Sequence, residues 1–255
     1  MRGWVFGLLL AALAARSDAK LHTEYVDYQA GGVQLRGYLA WDDGARGQRP
    51  AVLVVHEWWG LTEHPRRSAE RLAGLGYVAF ALDMYGGAKT AANPDEAGKL
   101  ASAVRSDPAA AAERFEAALA LVRANPNVDG KRVAAIGFCF GGTVALDMAR
   151  RGVDLSGVVS FHGGLATQHP APKGGVKARV LALHGADDPL VPPAQVQAFE
   201  QEMREAGADW QLKAYGGAEH AFTNPAANSP GVRYNERAAR RSWEDMKLFL
   251  RECFG

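Results

Sequence analysis

Cysteine is scarce in this chain: Cys139 and Cys253 are the only two in 255 residues. They make no disulfide framework, and no Cys-x-x-Cys or Cys/His cluster with ligand spacing points to zinc. An excess of charge of one sign is missing too. The 29 Lys and Arg against 28 Asp and Glu leave a net charge of +1. That balance argues against nucleic acid or an anionic membrane surface as the main partner. The apolar run Gly3 to Leu13 is too short to span a bilayer. What remains is an ordinary globular composition, 48% hydrophobic and 22% charged, in a chain long enough for one α/β domain with a substantial core.

The N-terminal run follows Arg2 and is followed by small residues. It resembles a secretory signal with cleavage after Ala15 or Ala19. A buried N-terminal segment or an uncleaved anchor is the other reading. On the signal reading, residues 1–19 are removed and residues 20–255 form a single domain. That domain works in the periplasm or outside the cell, as a monomer with no stable membrane insertion.

Two β-rich runs, Thr23–Gln29 and Val33–Trp41, flank Ala30-Gly31-Gly32 and predict an antiparallel hairpin at a sheet edge. From Pro50 onward, short apolar runs alternate with helical patterns. Strands are expected at Pro50–His56, Tyr77–Leu82, Leu155–Phe161, Arg179–His184 and Trp210–Tyr215. Helices are expected at His64–Leu75, Pro108–Arg123 and Pro193–Ala206, with a long final helix at Val232–Glu252. Asp83–Pro108 is the least regular region, with a short helical pattern around Glu96–Val104, and is long enough for a small flap or partial cap. Such alternation predicts an α/β fold, a mostly parallel twisted sheet with helices on both faces. In such sheets, functional groups gather at the carboxyl ends of the strands.

One strand end stands out. Lys131 to Ile136 reads as a buried strand and Thr143 to Arg150 as a helix, joined by Gly137-Phe138-Cys139-Phe140-Gly141-Gly142. Glycines on both sides of one nucleophilic side chain allow strand and helix to approach closely. The following helix directs its N-terminal N–H groups at developing negative charge. A glycine-rich turn around a buried, inert thiol is the plainer reading of the same residues. Two later strand ends carry His184-Gly185-Ala186-Asp187-Asp188-Pro189 and Gly216-Gly217-Ala218-Glu219-His220-Ala221-Phe222. A thiol needs an imidazole to take its proton. The imidazole in turn needs a carboxylate on Nδ1 to fix its tautomer. Cys139, Asp188 and His220 supply these types as nucleophile, acid and base, with Asp187 left to cap the turn and point outward. A metal hydrolase would draw on His56, Glu57, His64, His162, His184 and His220, but Gly60 breaks a His-Glu-x-x-His pattern. The reading calls for no metal and no cofactor.

The Gly-x-Cys-x-Gly turn resembles the nucleophile elbow of the α/β-hydrolases, and the order Cys139, Asp188, His220 is that superfamily's order. Together with Glu57 in an early strand-end loop, Asp188-Pro-Leu-Val-Pro and Glu-His220-Ala-Phe, the pattern is similar to the dienelactone hydrolase (carboxymethylenebutenolidase) family. The resemblance runs over roughly Val26 to Phe249. It implies hydrolysis of a small-molecule carboxylic ester or lactone through an acyl-thioester on cysteine. It also implies an oxyanion hole from the N–H groups of Phe140 and Trp58, and a role for Glu57 in controlling when the thiolate forms. Family members that act on dienelactone hold its carboxylate with two arginines, one after an Asp-Leu-Tyr segment and one four residues past the catalytic histidine. Here those places read Asp83-Met84-Tyr85-Gly86-Gly87 and Asn224. Dienelactone is therefore not the expected substrate; Trp58, Trp59, Tyr85 and Phe222 predict a largely aromatic pocket wall instead. A non-catalytic or thiol-redox-sensing protein on the same fold is the alternative.

Overall fold

A computed structural model describes residues 20–255; the predicted signal, residues 1–19, lies outside the described residues. The expected hairpin forms from β1 (Leu21–Ala30) and β2 (Val33–Asp42), paired antiparallel. Its turn uses Gly31 and Gly32 at φ of 54° and 76°, the left-handed pair that two-residue hairpin loops require. Then come β3 (Arg49–Val55), α1 (Glu63–Ala73), β4 (Val78–Leu82), α2 (Pro94–Arg105), α3 (Pro108–Arg123), β5 (Val128–Phe138) and α4 (Phe140–Arg150). The chain continues through β6 (Gly157–Phe161), β7 (Arg179–Gly185), α5 (Pro193–Ala206), β8 (Trp210–Tyr215), β9 (Asn228–Ser229), β10 (Val232–Arg233) and α6 (Glu236–Phe254).

Eight strands make one sheet in the order β1-β2-β4-β3-β5-β6-β7-β8. The strands from β4 to β8 run parallel, and β2 joins them antiparallel through β4. Side chains alternate across the sheet as strand geometry demands. Ala51, Leu53 and Val55 of β3 pack under α2, α3, α4 and α5, whereas Val52 and Val54 pack with Leu72 of α1 and Met246 and Leu250 of α6. Both faces are thereby covered, which is why these strands read as continuous apolar runs. From β3 the chain goes first to β4 on one side, and later reaches β5 on the other. The crevice outside the ends of β3 and β5 is thus the switch point where ligands bind in open α/β sheets.

One expectation changes. The last helix starts at Glu236 rather than Val232, because Asn235 caps it by accepting from the Ala238 N–H. Val232 and Arg233 pair instead with Asn228 and Ser229. The short helical pattern expected within Asp83–Pro108 forms α2, capped by Asn93, whose side chain accepts from Glu96 N–H while the Glu96 carboxylate reaches back to Asn93 and Ala92.

Candidate active site

Cys139 sits between β5 and α4 at φ 52° and ψ −115°, a conformation that a residue with a side chain adopts only under tertiary constraint. The constraint is the close approach of strand and helix. A Cβ on Gly137 would run into the Gly141 carbonyl, and one on Gly141 into the Val55 carbonyl of the neighbouring strand. The Cys139 N–H donates to the Phe161 carbonyl at 3.0 Å and to His162 Nδ1 at 3.2 Å. Its thiol is partly exposed and faces a cavity of about 1450 Å³.

The two other predicted reacting groups arrive from β7 and β8. His220 Nε2 lies 3.0 Å from Cys139 Sγ, and its Nδ1 lies 2.8 Å from Asp188 Oδ2. The other oxygen of Asp188 accepts from Leu190 N–H at 2.8 Å. Asp187 is exposed, as expected of the acid not chosen. Burial opposes charge on His220, but hydrogen bonds to Asp188 and Cys139, together with their negative charge, outweigh it and push its pKa up to about 10. The His220 loop is held by a second strand of chain: its N–H donates to Gly231 and its carbonyl accepts from Arg233. That is the use the fold makes of Val232 and Arg233 outside the helix.

Glu57 follows β3 and is buried at 2% exposure. Its carboxylate accepts a 2.6 Å hydrogen bond from the Asn224 amide and lies 3.5 Å from His64 Nδ1, too far and too poorly aligned for a hydrogen bond. In the structure Glu57 is thus tied to the His220 loop, while the sulfur faces His220. Asn224 occupies the place where an arginine would have held a substrate carboxylate, and its side chain is committed to Glu57. Asp83, in the other unmatched segment, accepts from the N–H groups of Arg36, Tyr85, Gly86 and Ala88. It organises a turn rather than a binding site.

Phe140 is the first residue of α4, so its N–H has no partner within the helix. Trp58 and Trp59 line the cavity beside Cys139 and His220, with the Trp rings edge to face. Tyr85 and Phe222 do not form its wall. Tyr85 is buried behind it, donating its hydroxyl to the Trp58 carbonyl at 2.9 Å and packing on His56 and Phe140. Phe222 is fully buried against His162 and Tyr215. Both rings lie one layer deeper than predicted because each follows a strand end and turns into the core. Among the described residues, no three His, Cys, Asp or Glu side chains converge to hold a metal.

Sequence reasoning did not single out Thr223, and it gave Asn224 and His162 none of the contacts they make here. His162 follows β6, is buried at 1% exposure, and adopts φ 41°. Its Nε2 lies 2.7 Å from Thr223 Oγ1. The strand-end rule was the available signal for it, since β6 borders the elbow strand.

Comparisons with known proteins converge. The sequence profile described as the Dienelactone hydrolase family matches residues 35–254. A protein of Aquifex aeolicus with a provisional carboxymethylenebutenolidase name is 32% identical over 226 residues, covering 87% of this chain and 94% of that one. A dienelactone hydrolase-like promiscuous phosphotriesterase from metagenomic libraries is 40% identical, with a TM-score of 0.89 over 92% of this chain and 99% of its own. An alpha/beta hydrolase enzyme from a deep-sea metagenome, 20% identical with a TM-score of 0.65 over 91% of this chain and 98% of its own, shares the fold. This chain, an α/β-hydrolase-fold hydrolase, belongs to the dienelactone hydrolase family.

Proposed function

We propose that the protein hydrolyses a small-molecule carboxylic ester or lactone through Cys139, His220 and Asp188. The observation that carries the reading is the unbroken line from Cys139 Sγ to His220 Nε2 at 3.0 Å and from His220 Nδ1 to Asp188 at 2.8 Å. In the first half-reaction His220 holds the thiol proton in an ion pair, and the thiolate attacks the carbonyl carbon. The N–H groups of Phe140 and Trp58 hold the oxyanion, and convergent donors of this kind contribute about 3 kcal/mol each. The carbon–oxygen bond then breaks, and His220 returns the proton to the departing alkoxide. In the second, His220 takes a proton from water, hydroxide attacks the thioester, and the carboxylic acid leaves as sulfur takes back the charge. Asp188 keeps Nδ1–H in place throughout.

The test is steady-state hydrolysis of p-nitrophenyl acetate and a lactone panel by wild type, Asp188→Asn and Cys139→Ser. The reading expects Asp188→Asn to lose about 10⁴-fold in kcat, from loss of the tautomer, and Cys139→Ser to be a poor enzyme. Near-normal rates for Asp188→Asn refute it. The 40% identity to a promiscuous phosphotriesterase supports a secondary activity on phosphotriesters, with sulfur attacking phosphorus. Turnover of paraoxon that survives Cys139→Ala would reject it. The apolar run behind Arg2 supports export to the periplasm or beyond; a mature N-terminus still at Met1 in the producing cell would reject that.

A further inference from the structure

His162 is a buried titratable group that the reaction above does not use. Its two ring nitrogens have different neighbours. Nδ1 faces the Cys139 N–H, a donor, so Nδ1 must be the bare, accepting nitrogen. The ring proton therefore sits on Nε2 and points at Thr223 Oγ1, 2.7 Å away. Burial, reinforced by repulsion from His220 and His64, holds His162 well below the usual imidazole pKa, so this tautomer stays neutral even beside a charged His220, whose ring is 5.4 Å away.

The consequence falls on Thr223. Its oxygen accepts from His162, and among the described residues the hydroxyl makes no other hydrogen bond. Thr223 is half-buried and lines the same cavity as Cys139 and His220. Its proton is thus a donor without an acceptor, in the wall of the reaction cavity. The backbone also marks this cluster: of the non-glycine residues with left-handed φ, Cys139, His162 and Ala221 all lie here. Stored strain of this kind persists where surrounding contacts enforce it.

We propose that the Thr223 hydroxyl, aimed by His162, is a substrate-directed hydrogen-bond donor that selects esters or lactones carrying an acceptor oxygen close to the scissile carbonyl. The inference rests on ester or lactone hydrolysis at Cys139 and adds to it the feature that distinguishes a good substrate from a poor one. A site built to bond an oxygen penalises an isostere that lacks it, because a polar group is then left unpaired.

The test uses two pairs of substrates that differ by one oxygen for one methylene. On the acyl side these are p-nitrophenyl methoxyacetate and p-nitrophenyl butyrate; on the alcohol side, 2-methoxyethyl acetate and butyl acetate. The readout is the ratio of kcat/KM within each pair, for wild type, Thr223→Val and Thr223→Ser. Dividing within a pair removes any general loss of activity or folded enzyme. Thr223→Val is expected to lower the ratio about three- to tenfold in one pair, the size of one neutral hydrogen bond, and Thr223→Ser to restore it. Ratios unchanged in both pairs overturn the proposal, as does a serine variant that falls as far as the valine one. If wild type turns over none of the four esters and forms no acyl-enzyme, the ester reading fails first, and the inference falls with it.

Discussion

The elbow and the His220 loop, the proposed base loop, each deliver one proposed reacting group to the same place, and they are built in opposite ways. The elbow is a local object: β5 runs straight into α4, and glycines at 137, 141 and 142 let the two close on Cys139. The loop between β8 and α6 has almost no regular structure of its own, only the paired β9 and β10. It is fixed by ties to distant parts of the chain, His220 to Asp188, Asn224 to Glu57 and Thr223 to His162, and within itself by Asn235 N–H donating to the Phe222 carbonyl. The proposed nucleophile is therefore placed by sheet and helix packing, and the proposed base by individual polar contacts. Damage to the elbow should appear as lost stability, whereas damage to the loop should appear mainly as lost rate.

The strongest way to break the comparison is to delete the delivered groups themselves. Cys139→Ala and His220→Ala should each abolish p-nitrophenyl acetate turnover, by about 10⁴-fold or more, since residues that act as a unit fail together. Gly137→Ala comes next. Its Cβ would strike backbone atoms of Gly141 and Gly142, which cannot swing aside, so a loss of about 3 kcal/mol or more is expected. Thermal unfolding would register it, and an unshifted midpoint would show that the elbow tolerates separation.

Asn224→Ala should do less to the fold and more to the rate. It leaves the buried Glu57 carboxylate without its amide donor, at a cost of about 1–3 kcal/mol. It also loosens the loop that carries His220, so kcat should fall further than stability alone explains. Denaturant unfolding set beside kcat measures both. Equal stability losses in Asn224→Ala and Gly137→Ala would erase the distinction between the two regions.

The last effect is a pH dependence rather than a fixed loss. Against burial, hydrogen bonds and negative charge from Asp188 and Cys139 push the His220 pKa up to about 10, against 6.5 for a free imidazole. A raised folded value contributes stability that is fully present below about 6.5 and is lost as pH rises through about 10. The advantage of wild type over His220→Gln in urea midpoint should therefore shrink across that window. The deficit of Gly137→Ala should stay constant there, because no proton is involved.

This division also explains what the sequence could reveal. Strand–turn–helix patterning is written in contiguous residues, so the elbow, the hairpin turn at Gly31-Gly32 and the parallel sheet were all legible. Cys139, Asp188 and His220 were legible as candidates because strand ends converge by topology, whatever the loops do. Contacts inside the base loop were not. Nothing near Asn224 in the chain announces Glu57, which is 167 residues away. Tyr85 and Phe222 show the same limit: an aromatic after a strand end can face the cavity or support it from behind, and only packing decides. Val232 carried helical neighbours, yet its segment is drawn out of α6 to pair across the loop that holds the base.

In the proposed reaction sulfur becomes covalently bound to the acyl group. Rapid-quench intact-mass spectrometry with p-nitrophenyl acetate tests it most directly, followed by peptide mapping. The account predicts an increase of one acetyl group on the peptide containing Cys139, formed at the rate of the p-nitrophenolate burst and absent from Cys139→Ala. Turnover by wild type with no adduct on that peptide, or an adduct that persists in Cys139→Ala, would contradict it.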